Sequence, residues 1–201
     1  MSKVTQNIIR IIACQVFKPA FTRLKLESEY PTLRLTYLPS NLHLVPQKLK
    51  IRLLQATTVA QKKNEQVIYL YGDCFPDIND YCHQHKVIKV PGPNCWEILL
   101  GSERFGHLIK ETAGTYFLEK DLVLNFKENC IEPLELYDEE MRNYCFGNYR
   151  KLLYVRQPSD PDLISKANQV AEFLGLSLEI MDADYSHLKR RLTKLIQFLW
   201  E

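Results

Sequence analysis

The sequence predicts an α/β fold: a mostly parallel sheet flanked by helices, Rossmann-like, in a single domain over residues 1–201. Three observations carry this expectation. Short runs rich in β-branched and aromatic residues recur along the chain, helical stretches separate them, and four residues able to bind metal or do thiol chemistry fall just past strand ends. Strands alternating with helices imply βαβ units, whose strands run parallel.

IIRIIA at 8–13 reads as a strand buried on both faces, followed at once by Cys14. Residues 15–27 suit a helix with Pro19 in its first turn. LRLTYL at 33–38 alternates and is closed by Pro39, Ser40 and Asn41; Leu42 to Gln55 then reads as a helix with Leu42, Leu49, Leu53 and Leu54 as its apolar positions. QVIYLYG at 66–72 is the clearest strand, Asp77 to His85 a helix, and VIKV at 87–90 another strand. Pro91-Gly92-Pro93-Asn94 is a sharp turn, and Asn94 is placed to cap a helix that starts at Cys95 and runs to Gly101.

Between 102 and 149 the pattern weakens: GTYFLEKDLVLNF and the acidic, aromatic IEPLELYDEEMRNYCFGNYR read as helices with an irregular connection. This stretch marks a subdivision of the domain, an insertion or a crossover between two α/β halves. LLYVR at 152–156 is a strand, Leu163 to Leu174 a helix stopped by Gly175, SLEIM at 177–181 a strand, and Tyr185 to Trp200 a helix with Leu188, Leu192, Leu195, Ile196 and Leu199 on one side.

Composition narrows the function classes. Hydrophobic residues at 46% and charged ones at 25% are the profile of a globular chain able to bury a core. The 26 basic and 24 acidic residues leave a net charge of +2, without the broad basic face that nucleic-acid binding uses, so no nucleic-acid partner is expected. No apolar run approaches the roughly 20 residues that span a bilayer, so no membrane association is expected either. The first apolar stretch is interrupted by Arg10, followed by Lys18, and lacks a small-residue cleavage site, so it reads as a strand rather than a signal peptide. Six cysteines in a chain of this length are expected reduced, and the location cytoplasmic.

An open parallel sheet gathers the residues that follow its strands at one carboxyl edge. Cys14, His43, Cys74 and Cys95 each follow a different predicted strand. Three thiolates and one imidazole converging there would hold zinc or an iron–sulfur cluster. Cys95, opening a helix, has the further support of the helix dipole for its thiolate. Cys82-His83-Gln84-His85 falls at a helix end and reads as solvated, and Cys130 and Cys145 as packing residues. Glu97 reads as a solvated first-turn glutamate, the alternative being a general base or a support to the metal site. Tyr116, Phe117, Tyr144, Phe146 and Tyr149 read as core, or as the wall of a pocket for a flat cofactor. Glycine-rich phosphate loops and the GxSxG elbow are missing, and Asp73, Asp77 and Asp80 lack the glycine and glutamate of an EF-hand.

Several short blocks in order resemble the family called domain of unknown function sixteen-thirty-eight. They are ACQ at Cys14, Leu42-His43-Leu44-Val45-Pro46, Tyr71-Gly72-Asp73-Cys74-Phe75, Asn94-Cys95 before an apolar run ending at Gly101, Gly114-Thr115-Tyr116-Phe117-Leu118, and Tyr149-Arg150 through Tyr154. Gln15 and Phe75 stand where the family pattern has glycines. The resemblance implies an association with corrinoid-dependent methyl-transfer systems, with a corrinoid as cofactor and a corrinoid protein or methyltransferase as partner.

The leading expectation is therefore a metal-site protein binding zinc or an iron–sulfur cluster through Cys14, His43, Cys74 and Cys95, in methyl, corrinoid or metal-cofactor metabolism. Two alternatives stand beside it. One is a non-catalytic accessory protein that binds a corrinoid or a partner enzyme. The other is metal-free thiol chemistry, with Cys95 as nucleophile and Cys74 or Cys14 as resolving thiol.

Overall fold

The computed structural model describes residues 7–200, Trp200 without its side chain. The expected α/β class holds: helices flank two parallel sheets, one of four strands and one of three. The described chain divides into two compact units, one ending at Leu99 and resuming at Tyr185, the other Leu100–Asp184.

In the first unit, β1 (Ile9–Cys14) pairs in parallel with β2 (Leu33–Leu38) on one side and with β3 (Gln66–Leu70) on the other, and β3 pairs with β4 (Ile88–Lys89). The strand order is β2-β1-β3-β4. Ile9, Ile11, Ile12 and Ala13 are each 0% exposed, which is why this run is apolar without alternation. Arg10 is the exception. It forks onto both carboxylate oxygens of Glu65 at 2.7 and 2.9 Å and reaches the Thr36 hydroxyl at 3.3 Å, tying together the segments of all three strands.

The connections are helical, with bounds that differ from the sequence reading in informative ways. The expected helix over 15–27 splits into a 3-10 turn at Gln15–Phe17, α1 (Lys18–Leu24) and α2 (Leu26–Glu29), because Lys25 adopts a left-handed backbone at φ 51°. Residues Ser40–Leu44 form a separate 3-10 turn, and Pro46 then opens the longer α3 (Pro46–Gln61). It buries Leu49, Leu53, Thr57 and Ala60 and leaves Leu54 exposed, contrary to the expected apolar set. The helices α4 (Ile78–Gln84) and α5 (Cys95–Leu100) follow β3 and β4, and α10 (Ser186–Trp200) closes the unit with Leu188, Leu192 and Ile196 buried.

The second unit corrects the sequence reading. Thr115–Leu118, expected within a helix, is a strand, β5. It pairs in parallel with β6 (Lys151–Arg156), which pairs with β7 (Ser177–Asp182), giving the order β5-β6-β7. The remaining helices are α6 (Ser102–Glu111), α7 (Lys120–Leu124), α8 (Glu139–Phe146) and α9 (Ile164–Leu174), with a π-helical turn at Lys127–Ile131. As expected, α9 ends at Gly175, whose φ of 68° is the left-handed cap. Tyr116, Phe146 and Tyr149 pack ring against ring at 5.1–5.5 Å and form core, whereas Tyr144 points out to solvent.

One glycine fixes how the first sheet meets its loops. A Cβ at Gly72 would lie 2.6 Å from both the Asn94 Cα and the Pro93 carbonyl oxygen, backbone atoms that cannot yield cheaply. Gly106, inside α6, has open space instead. Gly72→Ala is therefore expected to destabilise the protein by about 2–4 kcal/mol. Gly106→Ala is expected to stabilise it by about 0.5–1 kcal/mol, both read from chemical unfolding.

Candidate functional site

The carboxyl edge of the first sheet is where its order has consequences. From β1 the chain moves to one side to make β2, then crosses back to make β3 and β4. The loops after β1 and β3 thus leave in opposite directions, a switch point of the kind at which open parallel sheets bind ligands. Ala13 is paired with Leu70, so the next residues, Cys14 and Tyr71, come level at that switch point.

The loop after β3 is stitched to the turn before α5. The Asp73 amide donates to the Pro93 carbonyl at 2.7 Å, directly beside the close approach of Gly72 to Asn94. Lys89 reinforces this: its ammonium pairs with the Asp73 carboxylate at 2.9 Å and donates to the Gly92 carbonyl at 3.1 Å. Asn94 caps α5 as expected, its Oδ1 accepting from the Glu97 amide at 2.8 Å. The result brings Cys74, in the β3 loop, and Cys95, the first residue of α5, to the same edge as Cys14.

Tyr71 lies at the centre of this arrangement. The residue is 2% exposed, and its hydroxyl is buried without a hydrogen-bond partner. Burial pushes this phenol far above its ordinary range, and the thiols of Cys14, Cys95 and Cys74 all push it the same way. Two residues earlier, Tyr69 is equally buried, yet its hydroxyl meets the Thr57 hydroxyl at 2.5 Å. Cys14 is buried, while Cys74 is half-buried and pushed up to about 11, chiefly by desolvation and then by Cys14. At neutral pH Cys74 is thus a protonated thiol, slow in disulfide exchange. Cys74 also lines an open groove of about 610 Å³ formed by residues 73–80, whose rim carries the exposed Asp73, Asp77 and Asp80.

The expected zinc or iron–sulfur centre is not assembled. Among the described residues no group of three or more histidine, cysteine, aspartate or glutamate side chains is placed to hold a metal ion. His43 does not join the edge: it is exposed on the 3-10 turn after β2, and its Nδ1 lies 2.6 Å from the Ser40 carbonyl oxygen. Cys14, Cys74 and Cys95 all act on the Tyr71 phenol without making such a group. The metal-site function read from the sequence is therefore withdrawn. The Cys82–His85 segment offers no ligand set either; Cys82 is buried, and the His85 ring sits 4.4 Å from that of Tyr81.

Sequence reasoning missed Tyr71, which looked like one more apolar residue of the QVIYLYG strand. The available signal was its position, the residue after the strand and one step beyond the Ala13–Leu70 pair. It also missed a half-buried acidic pair at the carboxyl edge of the second sheet. Glu119 follows β5 and caps α7, its two oxygens accepting from the Asp121 and Leu122 amides at 2.8 Å each. Asp160, in the loop after β6, accepts from the Tyr154 hydroxyl at 3.1 Å and the Gln157 amide at 2.8 Å. Desolvation first, then the nearby Asp121 and Asp160 carboxylates, raise Glu119 to about 7 against the capping bonds that oppose the shift.

No helix among the described residues is long and apolar enough to cross a membrane. The profile of the family described as "Protein of unknown function (DUF1638)" matches residues 37–192 of the chain. No curated protein and no solved structure matches it.

The raised Glu119 has a signed consequence. Between its ordinary value of 4.5 and about 7 the folded chain holds a proton that the unfolded chain has released. Stability from this residue is full at low pH, declines as pH rises through that window, and is level above it. Chemical unfolding at several pH values is expected to show a decline across the window that is steeper in the wild type than in Glu119→Gln.

Proposed function

We propose that this chain, which belongs to the DUF1638 family of proteins of unknown function, binds a small organic molecule at the carboxyl edge between β1 and β3. The Tyr71 hydroxyl donates a hydrogen bond to an acceptor atom of that molecule, and Cys14, Cys74 and Cys95 supply a polarisable wall around it. The observation that carries this reading is the buried, unpartnered hydroxyl of Tyr71 at the switch point of a parallel sheet. A buried hydroxyl left unpaired costs about 1–3 kcal/mol, which a phenylalanine in the same place would avoid. The open groove beside Cys74 offers a route of entry. The protonated state of Cys74 favours binding over a thiol-exchange role for this residue.

The family resemblance extends the proposal to a corrinoid protein or its methyltransferase as partner. The cysteines, none of them in a disulfide among the described residues, support a reducing, cytoplasmic setting.

Tyr71→Phe tests the binding reading in two ways. Without ligand, the variant is expected to be at least as stable as the wild type in chemical unfolding. A loss of more than about 1 kcal/mol would mean that the hydroxyl is satisfied inside the protein, and the reading would fail. In thermal-shift titrations against a panel of carboxamides, carboxylates and ketones, compounds that stabilise the wild type are expected to bind Tyr71→Phe about tenfold more weakly. Stabilisation that is equal in both proteins would put the ligand elsewhere.

A further inference from the structure

Charge is unevenly distributed along this nearly neutral chain. Residues 31–64 contain no aspartate or glutamate, and the exposed face of α3 and its flanks carries Lys48, Arg52 and Lys62. The same face exposes large apolar side chains: Ile51 is 56% exposed, Val59 57% and Leu54 39%. One exposed aliphatic residue on a helix is ordinary, but three on one basic helix make a surface suited to a partner.

The chain also carries the opposite surface. Residues 128–140 contain six acidic residues and no basic one, all six exposed, including Glu135, Glu139 and Glu140. Among and just beyond them stand Tyr144, 84% exposed, Tyr137, 65%, and Leu134, 40%. Exposed tyrosines framed by charge are the composition of a contact surface, since the ring supplies area at little entropic cost.

We propose that these two surfaces are complementary and that the protein associates with a second copy of itself head to tail, the basic face of α3 on one copy seated against the acidic, tyrosine-bearing 128–144 segment of the next. The argument for a second copy is the complementarity itself. A basic apolar helix alone would equally suit an anionic lipid surface, but that would leave the acidic aromatic segment unexplained, whereas self-association covers both. Because the two faces differ, the contact is heterologous, and it builds rings or open chains rather than a closed two-fold dimer.

Sedimentation velocity on the full chain tests this. The wild type is expected to form larger species as concentration rises, and to lose them as salt increases from about 0.05 to about 0.5 M. Ile51→Ser/Val59→Ser and Glu139→Ser/Tyr144→Ser alter exposed positions on the two faces, and each is expected to weaken association at least about tenfold. An equimolar mixture of the two variants is the decisive sample. Each retains one intact face, so the mixture is expected to re-form a complex that stops at two chains. A wild type that stays monomeric at every concentration and salt overturns the proposal, as does an assembly that either double variant leaves intact. A monomer that co-floats with phosphatidylserine vesicles also overturns it and assigns the α3 face to a membrane surface.

Discussion

Strand β1 is the constraint on which the first unit depends. It is hydrogen-bonded on both sides in parallel, and its apolar residues Ile9, Ile11, Ile12 and Ala13 are fully buried. Parallel neighbours on both sides cannot be reached by hairpins, so the chain must leave β1 and return by helical crossovers. Because β2 and β3 lie on opposite flanks of β1, those crossovers diverge, and the switch point falls at Cys14 and Tyr71. The same pairing sets the register: had β3 paired one residue off, Tyr71 would present its ring to the other face. Arg10, held by Glu65 and Thr36, adds a polar clasp to this three-strand core, and its guanidinium holds the Glu65 carboxyl below the usual range.

The two sheets are alike in direction and differ in what their edges can do. The order β5-β6-β7 proceeds one way without reversal, so it has no switch point of the kind between β1 and β3. Its carboxyl edge is instead filled by side chains of the loops, with Glu119 capping α7 and Asp160 accepting from Tyr154 and Gln157. At this edge the polar groups mostly serve local structure, though Asp160 Oδ1 is buried without a hydrogen-bond partner, as the Tyr71 hydroxyl is at the first edge.

Most strands of the fold were legible because their patterns are long or distinctive. LRLTYL over Leu33–Leu38 alternates, and the run over Gln66–Leu70 combines β-branched and aromatic residues. Thr115–Leu118 was not legible: four apolar and aromatic residues running into a helix-forming stretch give periodicity too little length to separate strand from helix. The site shows the same boundary between topology and geometry. Sequence could place Cys14, Cys74 and Cys95 at one edge, because strand ends in a parallel sheet share an edge. It could not tell whether their side chains converge on one point, as ligands about 2.3 Å from a metal must. His43 was lost to a still more local effect, the 3-10 turn that binds its ring to the Ser40 carbonyl and leaves it in solvent.

The first unit is discontinuous in sequence, and this bears on how a ribosome delivers it. Its four strands emerge early, but α10, which supplies the buried Leu188, Leu192 and Ile196, emerges only after all of Leu100–Asp184 has been made. During synthesis the first sheet must therefore wait with part of its apolar surface uncovered while the second unit, continuous in the chain, has everything it needs to fold. The docking of α10, fastened by Lys189 to Glu29 and by Arg191 to the Pro91 carbonyl, is then the step that completes the first unit. A nascent chain stalled before Tyr185 would hold a finished second unit and an unfinished first, the reverse of their order in the gene.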